Sequence, residues 1–93
     1  MEKQFAIAAL AQETRLDVFR LLVKAGPEGL PAGAIGEALD KPSATLSFHL
    51  NELRSAGLVR CEGHGRSGVY SPDFPAVNGL LGFLTDPCCQ GVG

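Results

Sequence analysis

The sequence predicts a mainly helical domain carrying one β-hairpin, and three observations predict it. Apolar residues recur at helical spacing in five successive stretches. Two short runs with strand character flank a glycine-rich tip, Gly63-His64-Gly65. The chain has 93 residues, of which 45% are hydrophobic and 19% charged, a balance that suits one globular domain rather than a disordered segment.

Taken in order, Phe5, Ile7, Ala8, Leu10 and Ala11 make a first short helix, alanine-rich and weakly amphipathic. Thr14 with Asp17 three residues later resembles a capping box, the aspartate standing in for the usual glutamate. Leu16, Phe19, Leu22 and Val23 continue at helical spacing until Gly26-Pro27 stops the helix. Pro31 to Leu39 forms a third helix, with Ile35 and Leu39 as its apolar pair. The turn Asp40-Lys41-Pro42 leads into a fourth, in which Pro42 is expected as the first helical residue and Gly57 marks the end. Two helices joined by so tight a turn make a helix-turn-helix. Beyond it, Leu58 to Glu62 and Gly68 to Ser71 read as strands joined by the tip Gly63 to Ser67. A hairpin in that place is a wing, so the expected fold is a winged helix-turn-helix. From Asp73 onward, Phe74, Val77, Leu80, Leu81 and Leu84 give a last helix ending before Pro87. Residues 1–87 are expected as one domain and 88–93 as a cysteine-bearing tail.

The fourth helix carries the clearest functional signal. At about 100° per residue, Leu46, Leu50 and Leu53 share one side and would seat it on a core. Ala44, Ser47, Phe48, Asn51 and Ser55 share the other. Small hydroxyls with one aromatic and hardly any charge suit a surface that enters a DNA major groove. There serine and threonine meet base edges and an apolar group meets a thymine methyl. Phe48 has a competing place as peripheral core against the neighbouring helix. His49, at the edge of the leucine face, reads first as a hydrogen-bonded structural histidine and second as a phosphate contact. His64 in the wing tip suits a phosphate contact or a solvated loop equally.

Net charge is −2, so a nucleic-acid role needs cations concentrated locally, since phosphate contacts dominate affinity. No apolar run approaches the roughly 20 residues that span a bilayer. The N-terminal stretch lacks a signal-peptide cleavage pattern. Three cysteines, an odd number, point to a reduced, cytoplasmic setting. An enzyme is not expected: neither histidine has a cysteine and a positioned carboxylate beside it in sequence, and GHGRSG lacks the strand and helix of a phosphate loop.

The segments LAQETRLDVFRLL (Leu10 to Leu22), TLSFHLNELRSAGLV (Thr45 to Val59) and EGHGRSGVYS (Glu62 to Ser71), in this order and spacing, resemble the ArsR/SmtB family of winged-helix, metal-responsive repressors. The resemblance runs from about Ala8 to Leu84. It implies a homodimer joined by its first and last helices, bound to a palindromic double-stranded DNA operator without need of a cofactor and released by an inducer. It also implies DNA contacts from Ser43, Thr45, Ser47 and Phe48, with Arg66 in the wing. Phe48 departs from the Arg, Gln or other polar residue that many relatives carry there.

Inducer sites in this family vary. The paired cysteines that some members place before the recognition helix are missing from Leu30 to Ile35, and the histidine and carboxylate ligands of zinc sensors are missing from Phe74 to Thr85. Cys88-Cys89 remains, and resembles members that sense trivalent arsenic or antimony through adjacent thiols. Thiolates are soft donors and select soft ions. Pro87 and Gly91 flank the pair and suit the bend that convergence on one ion requires. Trivalent arsenic favours three sulfurs, and this sequence has no further cysteine to Gly93. A small thiol, water or a partner residue would be third, or a methylated arsenical would need only two. A disulfide redox switch, idle thiols in a tail, and a winged-helix interaction module without a metal role are the alternatives. Cys61, in the first wing strand, reads as a small buried residue.

Overall fold

The computed structural model describes residues 3–63 and 68–85. Helix α1 (Lys3–Leu10) is followed by α2 (Glu13–Ala25), a 3₁₀ turn (Gly26–Glu28), the short strand β1 (Leu30–Pro31), α3 (Ala32–Leu39) and α4 (Ser43–Ser55). Strands β2 (Val59–Glu62) and β3 (Val69–Pro72) then pair antiparallel, and α5 (Phe74–Leu84) closes the described chain. The architecture is the expected winged helix-turn-helix.

The core is built from Val18, Phe19 and Leu22 of α2, Ile35 of α3, and Leu46, Leu50 and Leu53 of α4. Leu58 and Val59 at the start of the wing, Leu80 of α5, and Ala6, Ala9 and Ala56 complete it. The apolar periodicity of α3 and α4 therefore predicts the buried side correctly, whereas in α2 Phe19 and Leu22 are buried together with Val18, and Leu16 and Val23, expected on the same side, are exposed. Helix α1 behaves differently. Its buried residues are Ala6 and Ala9, whereas Phe5, Ile7 and Ala8 are exposed. Ala6 and Ala9 let α1 lie close to its neighbours and Leu10 packs against the core, while Phe5 and Ile7 point outward. In α5, Leu80 turns into the subunit core and Val77 packs against it, leaving Leu81, Phe83 and Leu84 exposed. The expected uniform stripe of Val77, Leu80, Leu81 and Leu84 is thus split between the core and the surface.

Three local expectations need correction. Gln12, not Thr14, caps α2: its Oε1 accepts from the Arg15 amide at 2.8 Å, and Thr14 already lies in the first turn. Pro42 is the cap residue of α4 rather than its first helical residue. Its ψ of 153° is extended, and its carbonyl accepts from the Leu46 amide at 3.1 Å. The sheet has three strands in the order β1-β3-β2, because Leu30 and Pro31 pair with Tyr70 and Val69. A two-residue strand containing proline carries no period for a sequence reading to find. Gly29 makes this pairing possible: its φ is +72°, and a Cβ there would lie 2.5 Å from the Tyr70 carbonyl oxygen.

The turn between α3 and α4 holds the recognition unit together. Asp40 adopts the left-handed conformation, φ 53° and ψ 51°, and the Asp40 and Lys41 amides both donate to the Gly36 carbonyl. Gly36 sits where the two helices cross, since a Cβ would meet Leu46 Cδ1 at 3.1 Å and the Lys41 carbonyl oxygen at 3.2 Å. Gly57, with φ 79°, turns the chain out of α4, and the Leu58 amide bonds back to Leu53 at 3.0 Å. This bond leads the chain from the recognition helix directly into the wing.

Candidate nucleic-acid interface

Helix α4 divides cleanly. Leu46, Leu50 and Leu53 are buried, and Ala44, Ser47, Phe48, Asn51 and Ser55 are all exposed. Ser43 opens the helix and is exposed, and Thr45 is half-buried. No side chain caps this helix start, so the first-turn amides point outward, an arrangement suited to an anion. Phe48 is 55% exposed, so it is not buried as peripheral core, and one side of its ring rests on the protein.

That protein side consists of two residues. The His49 ring meets the Phe48 ring edge-on, with centroids 5.3 Å apart and an interplanar angle of 61°. The guanidinium carbon of Arg15, from α2, lies 5.7 Å from the centre of the Phe48 ring. Arg15 Nε donates to His49 Nδ1 at 3.3 Å, and its Nη1 donates to the Ala9 carbonyl of α1 at 3.3 Å. His49 is buried, as a structural histidine should be, and burial pushes its pKa below the ordinary 6.5. The charges of Arg15 and Lys41 push the same way, and Glu52 opposes them. A neutral ring is what the contact needs, because Nδ1 must keep its lone pair to accept from Arg15.

Sequence reasoning missed Arg15 altogether. Its one signal was a cation in the first turn of α2, where a positive charge gains nothing from the helix dipole.

The wing places Cys61 opposite Tyr70 and Arg60 opposite Ser71. Cys61 is half-buried, as a small strand residue, and burial together with Cys61 raises the Tyr70 hydroxyl pKa. Arg60 and Glu62 approach within 3.9 Å at the surface, a pair too exposed to contribute much. Arg66 and His64 at the wing tip, and Cys88 and Cys89 in the tail, lie outside the described residues. Among the described residues, no three or more of His, Cys, Asp and Glu gather into a possible metal site. No helix among them is long and apolar enough to cross a membrane.

Residues 10–62 match the helix-turn-helix domain family, a span covering α2 to β2 and so the whole recognition unit. The chain belongs to that family. It is similar to the uncharacterized HTH-type transcriptional regulator YceK of Bacillus subtilis, at 36% identity over 63 residues. This alignment covers 68% of the present chain and 62% of YceK, so the chain spans about three-fifths of that relative's length. Among solved structures it resembles an ArsR-like transcriptional regulator from Rhodococcus sp. RHA1, with TM-score 0.78 and 25% identity over 95% of this chain and 80% of the other. It also resembles the homodimeric winged helix-turn-helix DNA-binding domain of Mb0332 from Mycobacterium bovis, a possible ArsR-family regulator. There the TM-score is 0.68 and the identity 26%, over 95% of this chain and 82% of that one. These relatives are transcriptional regulators rather than enzymes.

Proposed function

We propose that this chain is a transcriptional repressor that binds a palindromic operator as a homodimer. Trivalent arsenic or antimony, inorganic or methylated, releases it by binding Cys88 and Cys89. The observation that carries the DNA reading is the outward face of α4, where Ser43, Ser47, Phe48 and Asn51 stand exposed above a buried leucine seam. Such a face fits the major groove, with Ser43, Thr45 and Ser47 offering hydroxyls to base edges or phosphates and Phe48 an apolar surface to thymine methyls. Arg66, in the wing, would add a backbone contact that raises affinity without reading sequence.

The exposed apolar residues of α1 and α5, Phe5, Ile7, Leu81, Phe83 and Leu84, support a subunit seam formed by the first and last helices. A two-fold dimer would then set its recognition helices roughly 34 Å apart, one turn of DNA. The metalloid reading rests on the chemistry of adjacent soft donors in the tail that follows α5. An ion bridging the two thiolates would bias how the subunits sit together. It must bind the DNA-free arrangement more tightly by the coupling free energy it exerts.

Gel shift on DNA from upstream of the chain's own gene tests both halves, titrated with arsenite, antimonite, methylarsenite, zinc and cadmium. Release by the first three is expected, with zinc ineffective. Cys88→Ser and Cys89→Ser should keep the shift and lose the release, while Cys61→Ser changes little. Arsenite release of the double serine variant would move the site elsewhere, with Cys61 the first suspect. Absence of any shift on promoter or random DNA at low salt would instead leave a protein-interaction module.

A further inference from the structure

The recognition helix is joined to the rest of the molecule by more than its leucines. The amide of Arg15 is held by Gln12 at 2.8 Å, which fixes the residue at the start of α2. From there its side chain reaches two other helices, through Ala9 of α1 and through His49, 34 residues further along the chain, of α4. The guanidinium plane ends beside Phe48, the exposed aromatic of the DNA-facing surface. An unsupported phenylalanine on a helix surface is free to change rotamer. Here the cation on one side and the edge of the His49 ring on another restrict it.

We propose that Arg15 is a positioning residue for DNA recognition. Anchored on Ala9 and His49, it holds the Phe48 ring in the attitude that α4 presents to the groove and couples that attitude to α1. The inference rests on the reading of Phe48 as a base-contacting residue. An arginine suits this task and a lysine does not, because only a planar fork can serve a ring nitrogen, a carbonyl and an aromatic ring together. The groups that set the charge around His49 are Arg15 from α2, Lys41 from the turn and Glu52 from α4. Protonation would turn Nδ1 into a donor facing the Arg15 donor, and the support of Phe48 would be lost. Acid should therefore imitate removal of Arg15.

The test uses a duplex enriched by the wild-type protein from a randomised pool, and a scrambled duplex of the same length. Affinities for both give a discrimination ratio, and circular dichroism melts report folding. Phe48→Ala should lower the ratio about tenfold. Arg15→Gln should lower it by a similar factor, and the double variant no further, since both changes remove one arrangement. Arg15→Lys should also lower it, and this variant carries the test if Arg15→Gln does not fold. Acidification from about pH 7.5 down through the lowered pKa of His49 should reduce the wild-type ratio and leave that of His49→Gln flat.

A ratio that falls in Phe48→Ala but not in either Arg15 variant overturns the positioning role alone. Full rescue by lysine overturns it too, as does equal weakening on both duplexes, the mark of a simple phosphate contact. An unchanged ratio in Phe48→Ala, or a pool that enriches no sequence, overturns the base-reading assignment and the positioning role with it.

Discussion

Helices α4 and α5 both bury one side and expose the other, but their exposed sides are chemical opposites. The outward face of α4 is Ser47, Asn51 and Ser55 around one aromatic; that of α5 is Leu81, Phe83 and Leu84, each about half exposed. Small polar groups give up water readily only where hydrogen-bonding partners replace it, as base edges and phosphates do. Large apolar side chains give up water to almost any apolar surface, and three of them together on a small domain favour a protein partner. Exposure alone therefore says little. The chemistry of what is exposed separates a face suited to nucleic acid from one suited to an apolar partner surface.

The most disruptive way to break this comparison is to charge the α5 face. Leu81→Glu with Leu84→Glu should yield a folded monomer in sedimentation. Operator affinity should fall by about 100-fold or more, because two linked contacts become one. Truncating the inward side of α4 should act on folding instead. Leu50→Ala is expected to cost about 2–5 kcal/mol in chemical denaturation, the usual penalty for a cavity at a fully buried leucine. The same truncation on the outward side should leave stability alone and affect specificity. Ser47→Ala and Phe48→Ala are each expected to lose roughly 1–3 kcal/mol of discrimination between operator and random DNA. Equal losses on both DNAs would remove Phe48 from the base-reading set.

Two smaller effects sharpen the picture. Arg66→Ala should weaken binding to operator and random DNA alike and flatten the salt dependence by about one unit of slope. The last effect concerns pH. His49 has a folded-state pKa below 6.5, so in the window between the two values the unfolded chain binds more protons. Its contribution to stability is complete above pH 6.5 and lost as pH falls through the lowered value. Melting temperature should thus decline more in wild type than in His49→Gln on acidification through that window.

Much of the recognition unit was legible in the sequence because its signals are local. The leucine spacing of α4, the stop at Gly57 and the turn at Asp40 to Pro42 each involve neighbours within a turn or two. The resemblance to ArsR-type regulators follows from the same local segments in the right order. Two features escaped for a different reason. The Gln12 cap depends on which residue adopts extended backbone, and three consecutive polar residues offered comparable candidates. Strand β1 exists only because β3 lies beside it with an edge to pair.

By itself the sequence determined the order of the five helices and the hairpin, the leucine core of α4 with Phe19 and Leu22 of α2 and Ile35 of α3, and the polar face of the recognition helix. Periodicity encodes these directly, because a helix converts spacing along the chain into direction in space. Only the tertiary structure decided which way Leu80 and Leu81 part in α5, that α1 buries Ala6 and Ala9 while Phe5 and Ile7 face out, and that Arg15 reaches Ala9, His49 and Phe48. Those outcomes depend on where other helices lie. A side chain that meets a partner 34 residues away leaves no repeat in the sequence, and its contact exists only once three helices have been brought together.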